Sequence, residues 1–239
     1  MKTLDLYQLL RETSYPGRGI VVGLAPDGRK AAIAYFIMGR SANSRNRVFA
    51  ETDDGIETRA ADPAKLEDPS LIIYRPVRTL DDEHIVTNGD QTDTVYSALA
   101  SGGTFEGALR TRGFEPDAPN WTPRISGVVS VDQGEASYKL SILKSGDEEG
   151  TSCRRFFYEY ARPLAGIGHF IHTYEGDGNP LPSFSGEPRQ VAIPDTAEEF
   201  AENIWEALNE DNKVSLFVRY INLDSEEVED IIINKYDEV

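Results

Sequence analysis

Residues 19–38 read GIVVGLAPDGRKAAIAYFIM, and this stretch decides the fold. Two apolar segments, residues 19–25 and 31–38, flank Pro26, Asp27 and Gly28. Proline, aspartate and glycine together are typical of a tight turn, and short apolar runs on either side are typical of strands. The sequence therefore predicts a β-hairpin at this point of the chain.

Further strand-like segments follow along the chain, each a short apolar or β-branched run between turn residues. They cover residues 70–77, 84–87, 125–131, 137–143, 155–160, 167–174, 189–193 and 214–222. Helices are predicted at residues 93–100, 104–112 and 195–209, and the last of these has a capping-box pattern and an apolar stripe. Many strands and few helices predict an α+β fold in which layered β-sheets are flanked by helices.

Composition excludes several classes of protein. The 239 residues include 41 acidic and 24 basic side chains, a formal net charge of −17, so we expect no nucleic-acid partner because phosphate backbones would be repelled. No apolar run approaches the roughly 20 residues that span a bilayer, and the N-terminus lacks the apolar core of a secretory signal. A lone cysteine, Cys153, fits a reducing environment. We therefore expect a cytoplasmic protein without a membrane partner.

The histidines and the cysteine do not make a metal-binding set. His84, His169 and His172 are the only histidines, and one cysteine cannot build a thiolate site. We therefore expect no metal, although a magnesium site made of carboxylates stays open.

One basic segment stands out on this acidic background. Residues 15–47 hold six basic side chains but a single acidic one. Three of the six, Arg40, Arg45 and Arg47, lie close together among hydroxyl and amide side chains, and Arg18 lies upstream. Arginine forks beside small polar groups suit phosphate or another oxyanion. The alternative is that these arginines form surface ion pairs with the many acids.

Two later segments carry polar groups at strand ends. Asn88 follows the strand predicted at residues 84–87, and the backbone N–H groups near Thr92 begin a helix, where an anion can bind. Ordinary helix capping is the alternative at this point. Arg124 follows Pro123 at the start of the next strand, where a plain turn with one exposed arginine is the alternative.

Taken in order, these segments resemble the archaeal-type IMP cyclohydrolase family, single-function enzymes that close the last ring in purine nucleotide synthesis. The resemblance spans about residues 15–130. The residues that carry it are Tyr35, Arg40-Ser41, Asn46-Arg47, Tyr74, Asn88-Gly89, Thr92-Asp93-Thr94, Thr122-Pro123-Arg124-Ile125 and Gly127. Each motif is weak alone, and their common order makes the resemblance specific.

The resemblance implies a four-layer αββα sandwich similar to the N-terminal nucleophile hydrolase fold. No processed Ser, Thr or Cys nucleophile is apparent, because Met1 and residues 2–14 precede the first motif. This leader is longer than in compact family members. We therefore expect a single domain over residues 1–239, with residues 1–14 as an N-terminal extension. Trp121 stands where a small polar residue is expected.

The implied activity is that of an IMP cyclohydrolase, a hydrolase-class enzyme that acts in the ring-closing direction in de novo purine biosynthesis. Its substrate is 5-formamidoimidazole-4-carboxamide ribotide, its product is IMP, and the reaction demands no metal or organic cofactor. The implied catalytic residues are Tyr35, Arg40, Tyr74, Asp93 and Arg124. The implied substrate-binding residues are Arg18, Ser41, Ser44, Arg45, Asn46, Arg47, Asn88, Gly89, Thr92 and Thr122.

The reaction gives these side chains expected roles. Arg45 and Arg47, with the small polar residues between them, are expected to bind the phosphate or an oxyanion. Arg40 and Arg124 are expected to polarise a reacting oxygen, and the two tyrosines to donate or orient protons. Three carboxylates stay open as the general base, namely Asp93, Glu115 and Asp117.

Two other functions stay open on the sequence. A non-catalytic purine-nucleotide-binding or sensing protein would keep the arginines but could lose the proton-transfer groups. An amidohydrolase of the nucleophile-hydrolase type would need a Ser, Thr or Cys freed by cleavage. Homo-oligomerisation, and a functional link to the formyltransferase that makes the substrate, stay open as well.

Overall fold

The predicted hairpin forms the centre of one β-sheet in the computed structural model, which describes residues 3–66, 69 and 72–236. Its antiparallel strands are β1 (Arg18–Leu24) and β2 (Lys30–Met38). In the turn, Gly28 has a φ of 69° and its N–H donates to the carbonyl of Ala25 over 2.9 Å. Glycine adopts this left-handed conformation without a steric penalty, which is why the turn signal in the sequence is reliable.

The other elements of the described chain follow in this order. The helices are α1 (Leu6–Glu12), α2 (Ala42–Arg45), α3 (Gln91–Ala100), α4 (Phe105–Arg110) and α5 (Ala197–Ala207), and a short 3-10 helix covers Pro63–Lys65. The strands are β3 (Val48–Thr52), β4 (Gly55–Arg59), β5 (Val77–Leu80), β6 (Glu83–Thr87), β7 (Arg124–Asp132), β8 (Glu135–Ser145), β9 (Cys153–Tyr160), β10 (Ile167–His172), β11 (Arg189–Ala192), β12 (Lys213–Asn222) and β13 (Val228–Asn234).

The strands form two antiparallel sheets, so the α+β class is confirmed. One sheet has the strand order β11-β10-β1-β2-β12-β13, and the other runs β3-β4-β5-β6-β7-β8-β9. Successive side chains of a strand point to opposite faces. On β1, Ile20 and Val22 join an apolar cluster with residues of the other sheet, whereas Val21 joins a cluster with helices. The two sheets therefore pack face to face through one shared core.

Helices pack against the outer face of each sheet. Leu6 and Leu10 of α1 lie in one apolar cluster with α5, β1 and β2. Val95 of α3 and Leu109 of α4 lie in another cluster with β6, β7 and β8. One half of the capping box predicted for α5 is confirmed, because the Thr196 hydroxyl accepts a hydrogen bond from the backbone N–H of Glu199 in the first helical turn.

The strand predicted at residues 70–77 is wrong in the part that the structure describes. Residues 72–76 form a loop, and the strand is β5, which begins only at Val77. Proline has no N–H to give to a sheet, so Pro76 cannot donate to a neighbouring strand, and regular pairing starts only after it. Residues 70 and 71 lie outside the described residues.

Several short or polar elements are absent from the sequence-based prediction. They are α1, α2, β3, β4 and β13. The sequence around β13 is rich in acids and gives no clear strand signal, yet β13 pairs along its length with β12. Several boundaries also differ by one or two residues: α3, for example, begins at Gln91, and β10 ends at His172.

Candidate active site

A cavity of about 330 Å³ opens where the first hairpin meets the loops before β7 and after β10. Its volume lies within the range of roughly 300–1,000 Å³ that is usual for small-molecule sites. Its wall is formed by Tyr15, Arg18, Met38, Arg40, Ser41, Asn43, Ser44, Arg47, Ile72, Glu115, Asp117, Asn120, Thr122, Tyr174 and Leu181. The structure thus brings three arginines of the basic segment together with Thr122 of the third motif.

Arg47 is a buried cation whose protein partners are backbone carbonyl groups. Its side chain is 1% exposed. Its Nε donates to the carbonyl of Ser44 over 2.8 Å, and its Nη2 donates to the carbonyl of Met38 over 3.2 Å. Its Nη1 is buried without a hydrogen-bond partner among the described residues. Burial is the main cause that lowers the pKa of Arg47, and the positive charge of the neighbouring Arg18 lowers it further.

Arg18 approaches the same cavity from the start of β1. Its Nη1 lies 3.7 Å from Oε2 of Glu115, and its Nε is buried without a hydrogen-bond partner in the described chain. Burial lowers the pKa of Arg18, but Glu115 and nearby tyrosines outweigh burial and raise it. Buried donors without partners are costly, so these two guanidinium groups are suited to bind an anion.

Two tyrosines lie behind these arginines and do not line the wall themselves. The hydroxyl groups of Tyr35 and Tyr74 are 2.7 Å apart, and the side chains are 0% and 8% exposed. Thr58 holds Tyr74 in place by hydrogen bonds to its backbone. Burial, and the adjacent Tyr74, raise the pKa of Tyr35 well above its ordinary value, so the Tyr35 hydroxyl acts as a neutral hydrogen-bonding group.

Glu115 supplies a buried carboxyl group to the cavity. Glu115 is 2% exposed, and its backbone N–H donates to the carbonyl of Thr122 over 2.9 Å. Burial raises the pKa of Glu115, although Arg18 opposes the shift. A carboxyl group in this environment binds a proton at a higher pH than an exposed one, as general acids and bases of enzymes do.

A polar chain closes the opposite wall. The Thr122 hydroxyl hydrogen-bonds with Asp117 and with the Tyr174 hydroxyl. Tyr174 stacks on Tyr15 at a centroid distance of 5.9 Å. The Cζ atom of Arg40 lies 5.1 Å from the centre of the Tyr15 ring, and the guanidinium group forms an ion pair with Asp177 at the rim of the cavity. These contacts fix the width of the cavity between the hairpin and the later loops.

Arg124 and the segment that follows β6 form a framework beside the cavity. Nη1 of Arg124 donates to Oδ1 of Asp90 over 2.6 Å and to Oε1 of Gln91 over 2.7 Å. A Cβ atom at Gly89 would lie 2.8 Å from Nη1 of Arg124, so the guanidinium group passes closely over this glycine. Arg124 does not line the cavity wall, but its charge lowers the pKa of Glu115.

The polar groups of Asn88 and Thr92 form hydrogen bonds within the protein. Nδ2 of Asn88 donates to the carbonyl of Pro123, and its Oδ1 accepts from the N–H of Ile125. The Thr92 hydroxyl bonds with Thr87 over 2.7 Å. Neither side chain lines the cavity, and both connect the end of β6 to the start of β7.

Three other predicted residues point elsewhere. Asp93 is exposed and pairs with Arg78 over 3.0 Å. Arg45 and Asn46 line a neighbouring cavity of about 520 Å³ on the other side of α2. Arg45 bonds there with Asn212 over 3.1 Å, so the arginines predicted to act together at a phosphate face different cavities.

Sequence reasoning missed seven side chains of the cavity wall. They are Tyr15, Met38, Asn43, Ile72, Asn120, Tyr174 and Leu181. Asn43 and Asn120 lie close in sequence to the motifs that carry the family resemblance, so their position along the chain could have identified them as site residues. Tyr174 and Leu181 come from a region without a motif, and only the pairing of β10 with β1 brings that region to the hairpin.

A third cavity, of about 450 Å³, has different chemistry. Its wall is rich in acids and includes Asp54, Asp81 and Asp230, together with His84 and Arg219. Among the described residues, no group of three or more His, Cys, Asp or Glu side chains is arranged to hold a metal ion. An anion is repelled by such a wall, so charge favours the smaller, arginine-lined cavity as the functional site. No helix in the described part of the chain is long and apolar enough to cross a membrane.

The fold and the cavity define an α+β protein with two stacked antiparallel sheets and a buried cationic site. Residues 15–226 match the family model described as IMP cyclohydrolase-like protein. Because this match covers most of the chain, the protein belongs to that family.

Individual relatives agree with the family match. The IMP cyclohydrolase of Methanothrix thermoacetophila is 31% identical over 120 residues, which are 48% of this chain and 58% of the relative. The IMP cyclohydrolase of Methanococcus maripaludis strain S2 is 32% identical over 131 residues, 52% of this chain and 62% of the relative. That of Methanopyrus kandleri is 28% identical over 173 residues, 71% and 79% of the two chains. The chain thus spans less than two thirds of the first two relatives.

Proposed function

We propose that this protein is an IMP cyclohydrolase, which closes the ring of 5-formamidoimidazole-4-carboxamide ribotide to form IMP. Membership of the family over residues 15–226, and the relatives that are themselves named IMP cyclohydrolase, support this activity. The observation that carries it is the pair of buried guanidinium groups of Arg18 and Arg47. Each has a nitrogen without a partner in the described chain, and both line the cavity that contains the buried carboxyl group of Glu115.

The reaction makes limited demands on the protein. The carboxamide nitrogen attacks the formyl carbon and forms the new C–N bond. The C–O bond of the former formyl group then breaks, and the oxygen leaves as water with one proton from the carboxamide nitrogen and one from the formamide nitrogen, which becomes doubly bonded to the former formyl carbon. Both groups are on one imidazole ring, so the attack is intramolecular and needs no covalent intermediate with the protein. The protein binds the phosphate, orients the two side groups, stabilises charge on the oxygen and transfers protons.

The geometry supports a narrower set of roles than the sequence did. Arg47, with Ser41 and Ser44 on the same wall, anchors the 5′-phosphate. Arg18 and Arg40 are placed to polarise an oxygen of the reacting groups. These five side chains line the cavity, and their hydroxyl and guanidinium groups match an anionic substrate.

The tyrosines behind the arginines and the carboxyl group beside them transfer the protons. Tyr74 orients or donates a proton, and Tyr35 holds its hydroxyl group from the core side. Glu115 acts as the general base, because it is buried in the cavity and burial raises its pKa. Asp117 orients Thr122 and is the less suitable base, since the Thr122 hydroxyl already occupies its carboxylate.

The remaining predicted residues take supporting roles in this proposal. Arg124 acts on Glu115 through charge and on the loop through Asp90 and Gln91. The residues that do not line the cavity hold its framework in place: Arg45, Asn46, Asn88, Gly89, Thr92 and Asp93.

The finer description of the molecule is also part of the proposal. The packing of helices on the outer faces of two stacked sheets supports a four-layer αββα sandwich of the N-terminal nucleophile hydrolase type. We place residues 1–239 in one domain in the cytoplasm, with residues 1–14 as an extension that carries α1. A functional link to a formyltransferase follows from the substrate, which carries a formyl group.

Ring closure by the purified protein tests the activity directly. The formylated ribotide is incubated with protein, ring closure is followed spectrophotometrically, and the rate without protein is subtracted. We expect IMP as the product, confirmed by mass, with the rate lost in Arg47→Ala and kept in Arg29→Ala, whose side chain is exposed. Binding of IMP without turnover of intact substrate would instead establish a non-catalytic nucleotide-binding protein.

A further inference from the structure

We propose that strand β9 is the interface of a homodimer, in which it pairs antiparallel with β9 of a second copy of this chain. β9 is the last strand of the seven-stranded sheet and pairs only with β8 in the described chain. It is eight residues long, CRRFFYEY, and its pairing with β8 has no bulge. A long regular edge strand presents a row of free N–H and C=O groups to another strand.

The other three sheet edges are protected, and β9 differs from them. At β3, the side chain of Asn234 bonds with both the N–H and the carbonyl of Phe49, over 2.8 and 3.0 Å. At β11, Leu4 forms a bridge with Val191 and donates its N–H to Gln190 over 2.8 Å. Such covering blocks the addition of a further strand at these two edges.

The fourth edge, β13, is protected by charge. Glu229 and Asp230 lie in this strand, and Glu226 and Glu227 lie just before it. A second copy placed against β13 would bring these four acids close to its own four, with one lysine, Lys235, at this edge of each copy. The excess of like charge opposes pairing at β13. β9 has two arginines and one glutamate in a chain of formal net charge −17. It is therefore the edge at which two acidic molecules can approach.

The sequence of β9 is also complementary to itself in one register. An antiparallel pair with two-fold symmetry has one residue opposite itself. With Phe157 at the axis, Arg155 lies opposite Glu159 on both sides of the axis. The same register places Phe156 opposite Tyr158, an aromatic cross-strand pair.

Neighbouring registers lose this complementarity. An axis at Phe156 places Arg155 opposite Phe157 and leaves the charges unpaired. An axis at Tyr158 places Arg154 opposite Arg162, which repel each other. Because opposite charges meet only when Phe157 is at the axis, charge selects this register.

The side chains that this register requires are accessible. Arg154, Arg155, Phe156 and Glu159 are exposed, and the side chain of Glu159 is 64% exposed. Phe156 is an exposed aromatic side chain on this unpaired edge, and pairing that removes it from water favours association. We therefore infer a continuous fourteen-stranded sheet in the dimer, two copies of the seven-stranded sheet.

Charge exchange in β9 tests the interface. Sedimentation velocity is measured from about 1 to about 100 μM protein, because the fraction of protein in the dimer depends on concentration. Glu159→Arg places arginines opposite each other twice and is expected to raise the dimer dissociation constant by about tenfold or more. The double variant Arg155→Glu/Glu159→Arg restores opposite charges and is expected to restore the dimer. Glu198→Arg, the same charge change on the exposed face of α5, is the matched control.

Hydrogen exchange gives the second measurement. Amide groups of β9 are expected to exchange more slowly as the dimer forms, while those of β13, an edge strand of the other sheet, do not change. A monomer at all concentrations overturns the proposal. So does a dimer that Glu159→Arg leaves unchanged, or a folded double variant, verified by circular dichroism, that does not regain the dimer.

Discussion

Arg47 shows at the scale of one residue how burial creates a binding site. A guanidinium group withdrawn from water loses its hydration, and two backbone carbonyls satisfy only part of its five N–H donors. The free Nη1 is buried, so water does not replace the missing partner at low cost. An anionic ligand supplies both the opposite charge and the missing acceptor.

Arg47→Ala is expected to weaken IMP binding by roughly tenfold to a hundredfold, the contribution of a hydrogen bond to a charged group. Binding of inosine, which has no phosphate, is expected to change by less than about threefold. Isothermal titration calorimetry measures both affinities. Arg29→Ala, which removes an exposed arginine of the first turn, serves as the control. Equal losses for IMP and inosine would place Arg47 beside the base instead of the phosphate.

The tyrosine pair has an asymmetry that predicts different kinetic effects. Tyr74 is 8% exposed while Tyr35 is fully buried, so Tyr74 is the partner that can reach a ligand. Tyr74→Phe is expected to lower kcat by about a hundredfold with little change in KM, and Tyr35→Phe to lower it less. Steady-state kinetics with the formylated ribotide measure both constants. Tyr220→Phe, which removes a buried hydroxyl bound to Pro194, is expected to leave kcat unchanged. An unchanged kcat in Tyr74→Phe contradicts the role.

At the scale of one element, α2 places Arg47 although it is only four residues long. A helix of this length is not stable alone, and its Ser41–Ser44 capping box is one of its supports. Close packing against the end of β2 is another. A Cβ at Gly39 would lie 2.7 Å from the backbone carbon and oxygen of Ser44, and that same oxygen accepts the hydrogen bond of Arg47.

Gly39→Ala is therefore expected to displace α2, because a backbone contact cannot relax as a flexible side chain can. The expected loss is about 1–3 kcal/mol in the free energy of unfolding, together with weaker IMP binding. Urea unfolding and calorimetry measure the two effects. Gly113→Ala is the control, since its added Cβ would meet no atom within 4 Å. If both variants bind IMP as the wild type does, the position of α2 does not determine the site.

The elements that sequence could predict are those whose signals are local. The first hairpin and α5 have apolar periodicity, a turn or cap, and a full core face, and each is present. The helix α2 has no such signal, because its stability comes from contacts with Gly39 and Arg47. Likewise β13 is a strand because β12 pairs with it, although its composition indicates a solvated segment.

At the scale of the whole molecule, sequence order and position in space diverge. The motifs predicted that Arg47 and Thr122 belong to one site, and the stacking of the two sheets brings both to one cavity. The motifs could not show that Arg45, two residues before Arg47, turns to the other side of α2. Nor could they show Tyr174, because its approach depends on a pairing between strands far apart in sequence.

The buried histidines make the stability of the whole molecule depend on pH. Burial lowers the pKa of His84 and His169 to about 4, and that of His172 to about 3. In the unfolded chain the pKa of histidine is about 6.5, so as the pH falls below that value protons bind the unfolded chain first. Folding stability is therefore complete above about pH 6.5 and is lost progressively as the pH falls towards the folded pKa values.

Between pH 7 and pH 5.5 this histidine effect is expected to dominate, because ordinary carboxylates titrate near pH 4 and keep their charge. Each histidine contributes a loss of about 1 kcal/mol over this interval, and protonation of buried Glu115, whose pKa burial raises, offsets part of the sum. Urea unfolding at the two pH values is expected to show lower stability at pH 5.5, by at most about 3 kcal/mol. An NMR titration assigns the effect, since the three imidazole signals must stay unprotonated down to about pH 5. Imidazole signals that titrate near 6.5, or equal stability at both pH values, would show that burial does not control these histidines.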